Sequence, residues 1–453
     1  MHVSSSPHLQ IKNYTIIWEV CLKASWSLAC STVTLISWSD TSFVRYTYCA
    51  KVQLSISNCS LPIPMKNLSQ KNLLIITQTL LMIVESVSSI IITLFIWQTA
   101  SLITVIQFRL LELLIIPVAL LLVGFSIDKI SPKISLQIGL VLLTAQLVYL
   151  LIAPASGSGY LLTLALLSGS SAVFRTLSLR SMVMNSISVE TQAAYFTQIT
   201  IISRILSVVF PLVSGLILTT LGYTPIFIAA IFTTVITVVS SFLIKTNQTH
   251  NRYQPFKPLR HLTKKMRVLV GTHVLWGAEF GILTIAVPIL ITHILQSELA
   301  WGVFTAFLSL ISIGYAYYFK KHANTFAAIG IFGFLLACIA LLYASNGNIF
   351  QFIVFMIVLQ FWQVTQQVGL MPAINKNIED EIESTDDSTE YATFFEYPFL
   401  IGRFFGLVVL FGFGAAITEP VYIGIFFALL SLIPLYEAMM IGKLKIKPAF
   451  TQK

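Results

Sequence analysis

Charge is what this chain has least of. Asp, Glu, Lys and Arg together make up 10% of its 453 residues, against about 25% in an average globular protein, so a water-facing exterior cannot be covered with polar groups. A soluble enzyme of this length is excluded on that ground. Cysteine is scarce as well. The five present, Cys21, Cys30, Cys49, Cys59 and Cys338, form no CxxC pair, and no His pair stands at ligand spacing, which leaves little support for a zinc site or a disulfide framework. Catalytic signatures are missing too: there is no HExxH, no GxSxG elbow and no phosphate-cradling GxxxxGK[ST]. The expectation is a protein that is not an enzyme and carries no metal or cofactor.

Apolar residues are what it has instead, at 56% of the chain with a mean hydropathy of +0.86. The solvent that suits such a composition is a lipid bilayer. The formal net charge of +9 would point to nucleic acid in a soluble protein; here it reads as membrane topology, and no nucleic-acid partner is expected. The N-terminal 71 residues differ from the rest, being polar and rich in Ser and Thr up to residue 64. Their best apolar run, about 14 to 38, is interrupted by Glu19 and Lys23, so it lacks the roughly 20-residue span that crosses a bilayer. Nor does it look like a signal peptide. Met65 opens MKNLSQKN directly before the first long apolar stretch, so 1–64 is expected to be either a disordered tail or an upstream extension that is not translated.

From residue 72 the chain gives twelve apolar stretches, near 72–97, 102–127, 134–153, 160–179, 194–217, 224–244, 268–292, 300–319, 325–344, 348–371, 393–416 and 420–441. The loops between them divide sharply by charge. One alternating set, with the flanking segments, holds 19 of the 27 Lys and Arg; the opposite set holds none. By the positive-inside rule both termini and the central loop, 245–267, are expected to be cytoplasmic. The resulting layout is a six-helix half over 72–244, the basic loop, a second six-helix half over 268–441, and a basic tail over 442–453.

The halves repeat. AAYFTQITIISRILSVV around Arg204 lies over YATFFEYPFLIGRFFGLVV around Arg403 at an offset of 199 residues, and Glu85 falls on Glu279 at an offset of 194. Two six-span halves that each begin and end on one side form a parallel repeat about an axis along the membrane normal.

After the second span the sequence reads PVALLLVGFSIDKISPK. This segment resembles the loop motif of the major facilitator superfamily, with Gly124, Asp128, Lys129 and Lys133 in the pattern and Ser131-Pro132 where the motif has Gly-Arg. A second stretch, SVVFPLVSG (Ser207, Pro211, Ser214, Gly215), looks like the Gly-Pro-rich motif found in exporters of that family. The resemblance covers about 66–445 and implies an all-α polytopic fold of twelve helices in two halves. It also implies transport by alternating access, with Asp128 accepting donors across the cytoplasmic face to latch one state. Fold analogy does not give the substrate.

Six ionisable residues fall well inside the spans: Glu85, Arg109, Glu112, Arg204, Glu279 and Arg403. Each costs about 2.5–3.5 kcal/mol at mid-membrane if it faces lipid, so they must face one another or a water-filled space. Glu85 and Glu279 are the first choices for proton coupling or for binding a cationic substrate; the alternative is a structural ion pair with Arg204 or Arg403. Those two arginines either clamp an anionic substrate or make those pairs. Arg109 and Glu112, at i and i+3, are expected to neutralise each other. Glu396 shares a face with Arg403 and is a candidate for a cytoplasmic gate or a solvated helix end, and Arg175 is expected to snorkel. His273 is either a proton relay or structural. Gln360, Gln363, Gln366 and Gln367 mark a polar stripe on span 10, serving either a hydrated wall or packing. The acidic loop, with Glu379, Asp380, Glu381, Glu383, Asp386, Asp387 and Glu390, is either solvated or a dock for basic segments.

The expectation is a monomeric secondary transporter of a small organic solute, driven by protons or another coupling ion, in a bacterial inner membrane. Two other readings stand beside it. One is a uniporter that uses the substrate's own gradient; the other is a non-transporting sensor or scaffold that recruits a partner through 379–390.

Overall fold

The structure is a computed structural model and describes residues 69–152, 158–187, 189–245, 263–322, 325–370, 388–414, 416 and 419–444. Contacts divide the chain into two units, 1–63 and 64–453, and every described residue belongs to the second. The expectations for residues 1–64, the central loop, the acidic loop and the C-terminal tail fall largely or wholly outside the described residues.

Among the described residues twelve helices are long and apolar enough to cross a membrane, and no strand occurs. They are α1 (Gln70–Thr99), α2 (Leu102–Lys129), α3 (Pro132–Ile152), α4 (Ser158–Ser186), α5 (Val189–Leu221) and α6 (Tyr223–Leu243), then α7 (Lys264–Leu295), α8 (Glu298–His322) and α9 (Thr325–Asn346). The last three are α10 (Ile349–Thr365, extended by Gln366–Leu370), α11 (Ser388–Phe413), and α12 in two pieces, Pro420–Leu430 and Leu432–Leu444. The chain is an all-α, multi-pass membrane protein. Each expected span coincides with a helix; the last differs in being broken at Ser431, whose N–H bonds back to Phe427.

Local chemistry sets the helix ends. Ser69, Ser101 and Thr263 accept the N–H of the residue three positions on, and Asn348 that of Phe350, which satisfies amides the first turn would otherwise leave open. The α5–α6 and α9–α10 connections turn on Gly222 (φ 77°) and Gly347 (φ 61°), a backbone region that side chains with a Cβ disfavour. Two helices widen into a π-helical turn, α1 at Val87–Ile91 and α10 at Gln366–Leu370. Such turns frequently mark functional positions.

Helices 1–6 pack mainly among themselves: α2 and α3 on α4, α3 and α1 on α6, and α1 on α5. Helices 7–12 do likewise, with α7 on α11 and α12, α8 and α9 on α10, and α9 on α12. The groups meet where α5 packs on α8, α2 on α11, and the second half of α1 on α7. The main apolar core, which includes Ile96, Leu102, Phe227, Ile285, Trp301, Phe355 and Phe426, draws on both groups and lies mainly in the half of the bundle away from Gln70 and Leu444. A smaller core near the chain ends, with Leu74, Leu140, Met182, Tyr195 and Ile244, comes from helices 1–6 alone.

Helix contacts that matter for the interior are made through glycine. A Cβ on Gly277 of α7 would stand 1.9 Å from the Phe399 carbonyl oxygen, and one on Gly402 of α11 would stand 1.8 Å from that of Val274. Gly281 and Gly406, one turn further on, face the Arg403 and Ala278 carbonyls, the former less tightly at 2.9 Å. The sequences GAEFG and GRFFG are therefore two small-xxx-small faces pressed backbone to backbone, and each carries a charged residue, Glu279 or Arg403, inside it. Gly215 of α5 and Gly302 of α8 make the corresponding close approach between the two helix groups.

Candidate functional site

Glu85, Arg204, Glu279 and Arg403 are each the sixteenth residue of their helices, about 22 Å along at 1.5 Å per residue. Four different helices thus bring an ionisable group to mid-length. A helix buries one stripe and exposes another, and here the charged stripes turn inward.

The first constellation lies among α1, α2 and α4. Arg109 Nη1 donates to Glu112 Oε2 at 2.8 Å, and its Nη2 donates to the Ser89 carbonyl at 2.7 Å and to Thr93 Oγ1 at 2.8 Å. The expected local pair is therefore present, with an addition. Ser89 lies in the π-helical turn of α1, so Arg109 ties α2 to the widened backbone. Ser168 of α4 donates to the other Glu112 oxygen at 2.5 Å. Glu112 is thereby held from two sides, and it also feels Arg403 across the α2–α11 contact.

Glu85 is paired with neither Arg204 nor Arg403. Its partner is Arg175 of α4, Nη1 to Oε1 at 3.4 Å, with the arginine side chain 4% exposed and the glutamate 44% exposed. This corrects two expectations. Arg175 does not snorkel outward, because Nε donates to the Ser171 carbonyl at 3.2 Å and Glu85 holds the far end inside the bundle. And Glu85 spends its charge on an arginine that sequence spacing did not bring to notice.

The second constellation lies among α7, α10 and α12. Gln366 Nε2 donates to Glu279 Oε2 at 3.1 Å and to Glu437 Oε1 at 3.2 Å. All three side chains are buried, Glu437 completely. No ion pair to either glutamate occurs among the described residues, so the alternative reading of Glu279, a structural pair with Arg204 or Arg403, is not what the structure shows. Glu437 was missed. It lies four residues inside the expected end of the last span, where an acid reads as a solvated helix terminus. The signal was there, a single glutamate within the apolar run LIPLYEAMM.

The remaining candidates sort by contact. Arg204 donates to Gln367 at 3.0 Å, linking α5 to α10, while Gln360 accepts from Ser312 at 2.9 Å. The glutamine stripe thus serves four partners, Glu279, Glu437, Arg204 and Ser312, on four helices. Arg403 makes no hydrogen bond or ion pair among the described residues; its Nε is buried without a partner, and its guanidinium lies 5.2 Å from the Phe280 ring centre and 6.0 Å from that of Phe399. Glu396, two turns before it, is within the electrostatic reach of both Arg403 and Arg180. His273 donates from Nδ1 to the Leu269 carbonyl at 2.8 Å and stacks near Phe395. It is anchored to its own helix rather than aimed at Glu279.

In the loop motif, Lys133 Nζ caps the end of α6 through the Phe242 and Ile244 carbonyls at 2.8 and 3.0 Å. Gly124 is buried, and Asp128 and Lys129 make no ion pair among the described residues. At the opposite end Gln98 of α1 donates to Glu298 of α8 at 2.7 Å.

No group of three or more His, Cys, Asp or Glu suited to a metal occurs among the described residues. No family model matches the chain. It is similar to a protein of Bacillus subtilis (strain 168) described as the uncharacterized protein YqgE, with 25% identity over 211 residues, 45% of this chain. The chain spans about half the length of that curated relative, 49%.

Proposed function

We propose that the protein is a secondary active transporter of a small organic solute, of the major facilitator type, coupled to protons and working by alternating access between helices 1–6 and helices 7–12. The observation that carries this reading is the Glu279–Gln366–Glu437 triad. Ionised carboxylates only accept hydrogen bonds, and one amide offers two donors to four carboxylate oxygens. Two buried carboxylates with a single neutral bridge and no cation lack a donor. A proton on one of them supplies it and removes the cost of two adjacent charges inside the membrane. Such a pair is built to take up a proton in one state and lose it when α10 or α12 moves.

Other features support alternating access. The two helix groups meet through glycine contacts and side-chain bridges, and the apolar core shared between them lies mainly in the half away from the chain ends. That arrangement reads as a state closed at the far face, with Gln98–Glu298 bridging it. The charge split of the loops supports a cytoplasmic side for the chain ends, and so for the open face; the membrane in this reading is a bacterial inner membrane. Energy comes from an ion gradient, since the sequence carries no phosphate-binding loop.

The test is proton movement in sealed vesicles. Proteoliposomes carrying a trapped pH dye are exposed to a panel of carboxylates, amines and sugars. At least one solute should move protons with the wild-type protein, and none should with Glu279→Gln plus Glu437→Gln. Solute flux indifferent to a pH gradient identifies the uniporter instead, and no flux of any solute rejects transport.

A further inference from the structure

We propose that Arg403 anchors the anionic group of the solute, and that the solute is a small monocarboxylate with an apolar or aromatic part. The proposal rests on the transporter reading above and names its substrate class.

Four arginines lie well inside the spans, and three have partners in the protein: Arg109 in Glu112, Ser89 and Thr93, Arg204 in Gln367, and Arg175 in Ser171 and, through an ion pair that leaves its Nη1 without a hydrogen bond, Glu85. Arg403 alone has neither a hydrogen bond nor an ion pair among the described residues, and its Nε is buried without a partner. A guanidinium carries five N–H donors in a fixed fork and cannot shed its charge. Keeping one unsatisfied at mid-membrane is costly, and an arrangement of this kind persists when a ligand supplies the acceptors. A carboxylate matches the fork with two parallel bonds.

The surroundings define the rest of the ligand. Phe280 and Phe399 flank the guanidinium, and Trp276 stands edge-on to Phe399 at 5.4 Å. Phe280 is 42% exposed on a helix that packs against α1, α8, α11 and α12, so part of its ring, next to the guanidinium, is open to a ligand. An apolar group beside the carboxylate would cover the exposed ring. Glu112 and Glu85 are already paired with Arg109 and Arg175, so a single carboxylate on the ligand matches the single open fork of Arg403.

The experiment is ligand-dependent thermal unfolding of the full chain in detergent, with a panel of monocarboxylates from propionate to 1-naphthoate, each compared with its amide. At least one acid should raise the melting temperature saturably while its amide does not. Arg403→Gln should weaken that apparent Kd tenfold or more, and Arg403→Lys should weaken it less. Should Arg403→Gln fail to fold, Phe280→Ala carries the test, lowering affinity for naphthoate more than for propionate. Failure of every acid to outperform its amide overturns the proposal, as does an Arg403→Gln protein that binds as the wild type does. Proton-driven flux of an uncharged or cationic solute that is indifferent to Arg403→Gln overturns the anchor and leaves the transporter standing. Carboxylate binding at Arg403 without any flux does the reverse.

Discussion

Glu112 is held by Arg109 and Ser168, so removing the arginine alone strands a buried carboxylate. Arg109→Met should therefore destabilise the protein by about 3–5 kcal/mol, the usual cost of breaking a buried pair, whereas Arg109→Met with Glu112→Leu should recover most of that loss. Denaturant unfolding of the four proteins in a double-mutant cycle measures it; strictly additive losses would show that the two residues do not act as a pair. The Arg109–Glu112 contact was legible because i,i+3 spacing on one helix fixes the geometry. The Glu85–Arg175 and Glu279–Gln366–Glu437 contacts were not, because their members come from separate helices, and helix rotation and depth decide which side chains meet. Sequence showed that the charges had to be satisfied inside the bundle without showing by whom.

At the scale of helices, the spans were readable almost to their ends, since some twenty apolar residues between polar breaks leave no other solution in a bilayer. Their pairing was less so. The GAEFG and GRFFG faces are short and carry charges, which hides them within otherwise ordinary spans, yet they set how α7 and α11 meet. Gly402→Val should abolish the yield of folded protein, because its Cβ would fall 1.8 Å from the Val274 carbonyl. Gly271→Ala and Gly412→Ala, where nothing lies within 4 Å, should be tolerated. Size-exclusion profiles of the purified variants decide this, and a monodisperse Gly402→Val protein would contradict the close packing. The π-helical turns were not visible in the sequence at all. They coincide with contacts to neighbouring helices: Arg109 donates to the Ser89 carbonyl in one, and Gln366 bridges Glu279 and Glu437 from the other.

For the whole molecule, the account requires the two helix groups to separate at the face that is closed here. Cysteines replacing Gln98 and Glu298, in a chain whose own cysteines are changed to serine, should form a cross-link that arrests flux until reductant is added. Undiminished flux in the linked protein would mean that this face does not open. The central claim is that a proton carried by Glu279 and Glu437 drives solute movement between those groups. Its most direct test is solute flux into proteoliposomes with and without an imposed pH gradient, comparing the wild type with Glu279→Gln plus Glu437→Gln. The account predicts gradient-driven accumulation with the wild type and only downhill, pH-indifferent exchange with the double variant; gradient-driven accumulation that survives both substitutions would contradict it.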